Sequence, residues 1–527
     1  MTQLDPAPAD APSVIAQRSI GRVGRGSVAN FAGALISAAA TFGVTVALTR
    51  GLPQNDAGVF FSCTSLFLLA VAVGQLGTTT GLVYFLSRAR ALQRQELVLR
   101  YIRAARTPVV LASVLAGAVL IVGAPLLARW TNPGNVEIAT TYLRVFGAFT
   151  PVASIVTLNL SASRGMGMMR PTVLVEQIGR PVMQFALVLP VVFLHATPAL
   201  PYAWAVCFIL GAVRSRKLIS AQLDRARPFH ARPRPVGREF WAFTWPRALG
   251  NVAQTAIQRF DIVLVGVIVG PGPAAIYTAS TRFLVLGQLG NRAVSLSAQP
   301  RIAEALARGV RADVNHVYRT STAWLMIATW PIYLLFATVG GPLLAVFGRG
   351  YATQGRALLA VLSVAMLIST GCGMVDMVLN MAGRTSWNLV NVLIAFGVNL
   401  GVDLILIPRI GILGAAIGWA AAIVFQNAFS LTAVGLAEHV HPFGRATASV
   451  AVSGLACFGA LPLAVQLVVG EHTLTSVVLT AAAGSIVYAV LLWSMRDLLQ
   501  LKALIQLRRS RTTGPPSPVS PDPGADT

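Results

Sequence analysis

The chain has 527 residues, 55% of them hydrophobic and only 11% charged, less than half the roughly 25% charge of a soluble protein. That balance excludes bulk disorder, and it excludes a soluble enzyme of three or four domains at ~150 residues each, because the polar surface for them is missing. The net charge of +23 comes from residues scattered between apolar runs, without a zinc knuckle or an RNP box, so no nucleic-acid partner is expected and an all-α polytopic membrane protein remains.

In chain order, residues 1–28 read as a polar cytoplasmic tail, with no signal h-region or cleavage site. Fourteen stretches then approach the ~20 apolar residues that a membrane span needs. They lie near 29–48, 59–86, 108–128, 142–162, 172–194, 197–213, 240–269, 274–297, 322–347, 356–380, 386–407, 411–435, 446–469 and 474–494. The sixth is short. The second is long and is interrupted by Gly74, Gly77 and Thr78–Thr80, as one kinked helix or a broken one. The predicted organisation is an N-lobe of spans 1–6 (29–213), a basic cytoplasmic linker (214–239), a C-lobe of spans 7–12 (240–435) and two further spans (446–494). A cytoplasmic tail, 495–527, is expected to be disordered at its end. Cys63, Cys207, Cys372 and Cys457 each fall in an apolar stretch with no CxxC, which predicts buried free thiols.

The loops test this count. With a cytoplasmic N-terminus, inner segments hold 30 of the 41 basic residues and outer ones hold six, from Arg50 to Arg409. A miscounted span would mix the two sets, so the asymmetry supports the count and an inside N-terminus in the cell membrane. The outer loops are too short to house a reaction.

Membrane transporters are often built from repeats. A shift of 217 residues lays 52–66 over 269–283, matching Ala57 with Ala274, Phe60 with Tyr277 and Thr64 with Thr281. In span 7, Arg247, Asn251, Gln254, Gln258 and Asp261 fall within about 80° of one helix face. Span 8 adds Tyr277, Thr281, Gln288, Asn291, Arg292 and Ser295. Span 1 has a weaker ribbon of Asn30, Ser37 and Thr41. Unpaired polar groups are costly against lipid. These stripes therefore either enclose a cavity between the lobes or bond helix to helix.

A charge at membrane depth marks a functional site by default. Nine such groups occur: Arg180, Arg247, Arg259, Arg282, Arg292, Glu176, Asp261, Asp376 and Asp403. Four have structural readings. Glu176 and Arg180, four residues apart, neutralise each other; Arg409 reaches Asp403; and Arg247 snorkels to the interface. The arginine surplus points to an anionic substrate, and the planar guanidinium suits phosphate. Arg180, Arg247, Arg259, Arg282 and Arg292, with Asn251, Gln254 and Gln258, are the predicted substrate-binding set. No histidine lies mid-span, so Asp261, Asp376 and Glu176 are the candidates for coupling to a proton or sodium gradient. There is no P-loop, GxSxG or HExxH, and no metal-ligand cluster. A transporter without a cofactor is expected, not an enzyme.

Three segments resemble the multidrug/oligosaccharidyl-lipid/polysaccharide (MOP) exporter superfamily, and within it the polysaccharide-flippase branch. They are RFDIVLVGVIVGPGPAAIYTAS (259–280), QPRIAEALARG (299–309) and LILIPRIGILGAAIGWA (404–420). The hydropathy profile is similar over about residues 20–497. The resemblance implies two six-helix lobes plus two helices, and transfer of a polyprenyl-pyrophosphate-linked glycan to the outer leaflet for surface polysaccharide synthesis. It also implies membrane lipid, glycosyltransferases and a polysaccharide polymerase as partners. Two alternatives stay open, a lipid II flippase and a cation-coupled drug exporter. Relatives that move lipid II often carry an arginine inside span 1, but no basic residue lies between Arg25 and Arg50; drug exporters often carry an acid there, and none lies between Asp10 and Asp56.

Overall fold

The structure is a computed structural model that describes residues 14–131, 133–134, 136–223, 236–308, 311–381, 385–469 and 474–499. Residues 1–13 of the expected N-terminal tail, 224–235 of the linker and the C-terminal tail from 500 onward lie outside the described residues. Among the described residues there are helices and no strands. The N-lobe holds α1 (Val14–Gly51), α2 (Gln54–Gly74), α3 (Thr78–Ala91), α4 (Gln95–Thr131), α5 (Val136–Gly165), α6 (Arg180–Phe193), α7 (Leu200–Ala205) and α8 (Cys207–Leu223). The C-lobe holds α9 (Gly237–Ile268), α10 (Pro271–Arg308), α11 (Arg311–Leu344), α12 (Arg349–Gly371), α13 (Val375–Met381), α14 (Thr385–Ile410) and α15 (Ile412–Glu438). Two further crossings follow, α16 (Arg445–Gly454) continued through a π-helical stretch into α17 (Leu461–Val469), and α18 (Leu474–Ser494).

Eleven helices among the described residues are long and apolar enough to cross a membrane. The other three expected spans are helical as well. A π-helical turn, Thr172–Gly179, divides the fifth from α6, and polar residues dilute α9 and α10. Helix α8 runs on to Leu223, inside the expected linker, because RSRKLISAQL consists largely of good helix formers. All four cysteines are buried and free.

The second span is broken. Leu76 (φ 47°) and Gly77 (φ 73°) turn the chain left-handed between α2 and α3, a conformation that glycine adopts without steric cost. A Cβ on Gly77 would lie 2.6 Å from Ala248 N and 2.7 Å from Thr244 O. The glycine thus also lets α3 lie directly against α9.

The repeat is visible as geometry. Helices α2 and α10 start 217 residues apart, at Gln54 and Pro271. Their matched residues Ala57 and Ala274 are fully buried, and Phe60 and Tyr277 nearly so. On the face carrying these turns, one apolar core runs through both lobes, from Leu48, Phe60 and Phe146 to Phe283, Phe347 and Leu359. Arg50 bridges the lobes there, donating to Val346 O (2.7 Å) and Ala345 O (2.6 Å). Gln54 donates to Gly272 O at 3.2 Å. Towards the opposite, arginine-bearing face the core divides. One part surrounds Leu86, Tyr101 and Phe240, the other Tyr318, Val378 and Val434. The lobes are therefore welded at the turn face, and towards the basic face the first part still joins them, packing Phe85 of α3 and Tyr101 of α4 against Phe240 of α9.

The final pair leans on α11, where Trp324 Nε1 donates to Leu499 O at 3.0 Å. Its outer side leaves Leu467, Val468 and Ile486 exposed, as a lipid-facing surface would.

The charge asymmetry sets the orientation to be measured. A cysteine at Arg94 or Ser220 should react with an impermeant maleimide only after cells are permeabilised, and one at Gly134 should react in intact cells. Labelling of the Ser220 position from outside would invert the topology.

Candidate functional site

The structure brings three of the five predicted arginines together. Arg180 opens α6, Arg259 lies about two-thirds of the way along α9 and Arg282 a third of the way along α10. Arg180 lies within electrostatic range of Arg259, and Arg259 within range of Arg282. The cluster thus takes one residue from the N-lobe and two from the C-lobe. Among the described residues none of the three makes an ion pair. Arg180 rests over the Phe208 ring at 5.5 Å, and Arg282 Nε is buried without an acceptor. Like charges held at membrane depth without a counter-ion repel strongly where water is scarce. A multivalent anion is the ligand that relieves this.

The other two arginines lie elsewhere. Arg247 donates to Phe243 O at 2.7 Å, and its guanidinium sits 3.5 Å from the centre of the Phe243 ring. Tyr84 of α3 stacks on the same ring at 4.3 Å, so Arg247 caps an aromatic seam between the lobes. Arg292 is exposed, nearer the basic face. Asn251 Nδ2 donates to Thr79 Oγ1 across that seam at 3.1 Å. Gln254 is half-buried and Gln258 exposed.

Asp261 leaves the stripe to which its spacing assigns it. Gln258 faces out, but Asp261 is 1% exposed and turns into the C-lobe. Its Oδ2 accepts from Tyr277 OH at 2.6 Å. Its carboxyl stands within hydrogen-bond reach of Asp403 and Asn399 on α14. Asn399 Nδ2 donates to Asp403 Oδ2 at 3.1 Å, and Asp403 is fully buried. The expected pairing of Asp403 with Arg409 is not made. Six residues at 100° each leave the two side chains about 120° apart around the helix, and Arg409 is exposed. Asp261 Oδ1 and Asp403 Oδ1 are both buried with no donor. Two bare carboxylates in contact at such depth are untenable. One cation, a proton or a sodium ion, would satisfy both orphan oxygens. Gly418 of α15 makes room for this pair, since a Cβ there would collide with Asp403 Oδ1.

The remaining acids occupy separate places. Asp376 follows Gly373 (φ 71°) in the short break before α13. It accepts from Ser430 Oγ at 2.7 Å, and Ser430 in turn accepts from Asn391 Nδ2 at 2.8 Å. Glu176 lies in the π-helical turn, and the expected Glu176–Arg180 pair is absent among the described residues.

Sequence reasoning missed Asn391, Asn399 and Asp403 as one face of α14. Their spacing of eight and four residues was the available signal. Assigning Asp403 to Arg409 concealed it.

The polysaccharide biosynthesis protein family model matches residues 23–306, and the MatE model matches residues 246–405. No curated protein matches significantly. Among solved structures, lipid II flippase MurJ in an inward closed conformation is similar at TM-score 0.70 and 13% identity, over 90% of this chain and 99% of that one. An inward-facing multidrug resistance MATE transporter of the MOP superfamily follows at 0.60 and 14%, over 78% and 98%. A MOP superfamily transporter from Pyrococcus furiosus gives 0.52 and 13%, over 78% and 93%. At these identities the likeness is one of fold.

Proposed function

Because this chain belongs to the polysaccharide biosynthesis protein family of the MOP exporter superfamily, a family of multi-pass membrane transporters, we propose that it flips a polyprenyl-pyrophosphate-linked oligosaccharide from the inner to the outer leaflet of the cell membrane. The observation that carries this reading is the unpaired trio Arg180, Arg259 and Arg282, drawn from both lobes. A pyrophosphate cannot enter hydrocarbon bare. Guanidinium groups replace its water shell with bidentate, charge-assisted hydrogen bonds. The polyprenyl tail stays in lipid while the head crosses between the lobes, and the lobes rock about the turn-face weld to alternate access. No bond of the substrate is made or broken, so the protein is not an enzyme.

The Asp261–Asp403 pair supplies coupling. A cation held between the two carboxylates in one lobe orientation and released in the other ties the cycle to a proton or sodium gradient. The cargo leaving the membrane is then extended by a polymerase outside, after glycosyltransferases inside have built it.

Lipid II shares the polyprenyl pyrophosphate, and the MurJ-like fold favours it as the second reading. A multidrug exporter is disfavoured, because a three-arginine cluster repels cationic drugs. The test is flipping by the purified chain in proteoliposomes. Undecaprenyl-pyrophosphate-linked oligosaccharide should be translocated, and lipid II at most slowly. Preferential translocation of lipid II would replace the reading with the alternative, and export of an organic cation with neither lipid moving would end both.

A further inference from the structure

The N-lobe wall beside the arginine trio contains a cavity of about 150 Å³. That is below the ~300 Å³ at which pockets for drug-sized ligands begin, and it leaves room for a single ring. Phe67, Val71, Val156 and Phe208 contribute its apolar and aromatic walls, and Glu176 and Arg180 line it as well. The Phe67 and Phe208 rings lie 5.6 Å apart, edge to face.

Two features of this cavity have no structural explanation. Glu176 and Arg180 are opposite charges four residues apart on one helical segment, where a regular helix would pair them. Here Glu176 lies in the π-helical turn Thr172–Gly179, and among the described residues both side chains line the cavity without pairing. π turns of this kind recur at functional sites. Further, Arg180 belongs at once to the cavity and to the cationic trio, so whatever fills the cavity adjoins the anion held by the trio.

Resting on the flippase reading, we propose that this cavity is the subsite for the first sugar of the lipid-linked glycan, the one bonded directly to the pyrophosphate. The chemistry fits a pyranose. A carboxylate accepts from its hydroxyl groups, a guanidinium donates to its oxygens, and the aromatic walls take its C–H face. Covalent connection fixes the distance, because the first sugar lies one bond beyond the phosphate that the trio grips. An acyl chain is a poor occupant, since two unpaired charges would have to be desolvated against it. The trio then recognises any polyprenyl pyrophosphate, and the cavity selects among them by the first sugar. The outer sugars of the glycan are left unread.

The test uses the purified full chain in detergent, with farnesyl pyrophosphate and its glucosyl, galactosyl and N-acetylglucosaminyl derivatives, and reads Kd by titration calorimetry. At least one sugar-bearing probe should bind about tenfold or more tighter than farnesyl pyrophosphate, as charge-assisted hydrogen bonds to the sugar require. Glu176→Gln and Phe208→Leu should each bring that ratio to within about twofold of one. The ratio, rather than either affinity, isolates the sugar from general effects of the substitutions. A wild-type ratio near one for all three sugars overturns the subsite while leaving pyrophosphate recognition intact. A high ratio that neither substitution moves overturns it too, by placing the sugar elsewhere. Failure of every probe, farnesyl pyrophosphate included, sinks the flippase reading along with it.

Discussion

Arg259→Ala and Arg282→Ala should each slow flipping of the lipid-linked glycan in proteoliposomes by roughly 100-fold, as expected when about 3 kcal/mol of charge-assisted hydrogen bonding to phosphate is lost. The same variants should be no less stable than the wild type. Removing one partner of a buried ion pair normally leaves a stranded opposite charge. Here neither arginine has an acidic partner among the described residues, and each lies within range of another arginine. Loss of one charge therefore relieves repulsion. Arg→Lys should restore activity only in part, because a point charge lacks the two-pronged grip on phosphate. Arg247→Ala separates the cluster from mere positive charge. Its guanidinium is committed to Phe243, so its loss should weaken the α3–α9 seam and lower thermal stability more than it lowers substrate affinity. Undiminished transport in both Arg259→Ala and Arg282→Ala would remove the basis for the anionic-substrate reading.

Asp261→Asn should abolish the response of transport to an ion gradient without unfolding the protein. The new amide can donate to Asp403 Oδ1, the atom left without a donor in the wild type, and can still accept from Tyr277. The pair then carries a single negative charge, held by an amide donor on each Asp403 oxygen, and stays buried without a cation. A one-unit pH gradient stores about 1.4 kcal/mol per proton, equivalent to a roughly tenfold bias in distribution. The wild type should show a bias of that order under an imposed pH or sodium gradient, whichever ion it uses, and the variant none. Asp403→Asn should behave alike, since the cation needs both carboxylates. Asp376→Asn should leave the gradient response in place, because its carboxylate is already served by Ser430 and stands apart from the Asp261–Asp403 pair. An unchanged gradient response in both Asp261→Asn and Asp403→Asn would show that the pair is structural.

Several features of this molecule are legible from local physics. Apolar length predicts the membrane helices, and eleven helices among the described residues meet the requirement. The 217-residue shift places the starts of α2 and α10, because a turn-plus-helix unit repeats its small and aromatic residues wherever the same packing recurs. The family is readable from motifs whose task is now physical. Gly418, in the segment ILGAAIGWA, leaves space for a carboxylate of the neighbouring helix.

Charge pairing was not legible, because it depends on which helices become neighbours. Spacing along one helix puts Asp261 with Gln258 and pairs Glu176 with Arg180. In the folded chain Gln258 is exposed while Asp261 is buried within the C-lobe, and among the described residues Glu176 and Arg180 do not pair. Spacing likewise ranks Arg282 outside the stripe of its own helix, yet neighbouring helices bring it into the cluster with Arg259. A helical, arginine-rich membrane transporter of recognisable family is thus written in the chain itself, since burial in lipid acts on each segment separately. Which charges stand alone and which share a site emerges only when the helices pack, since the energy of a charge at membrane depth is set by groups on other helices, up to 142 residues away for Asp261 and Asp403.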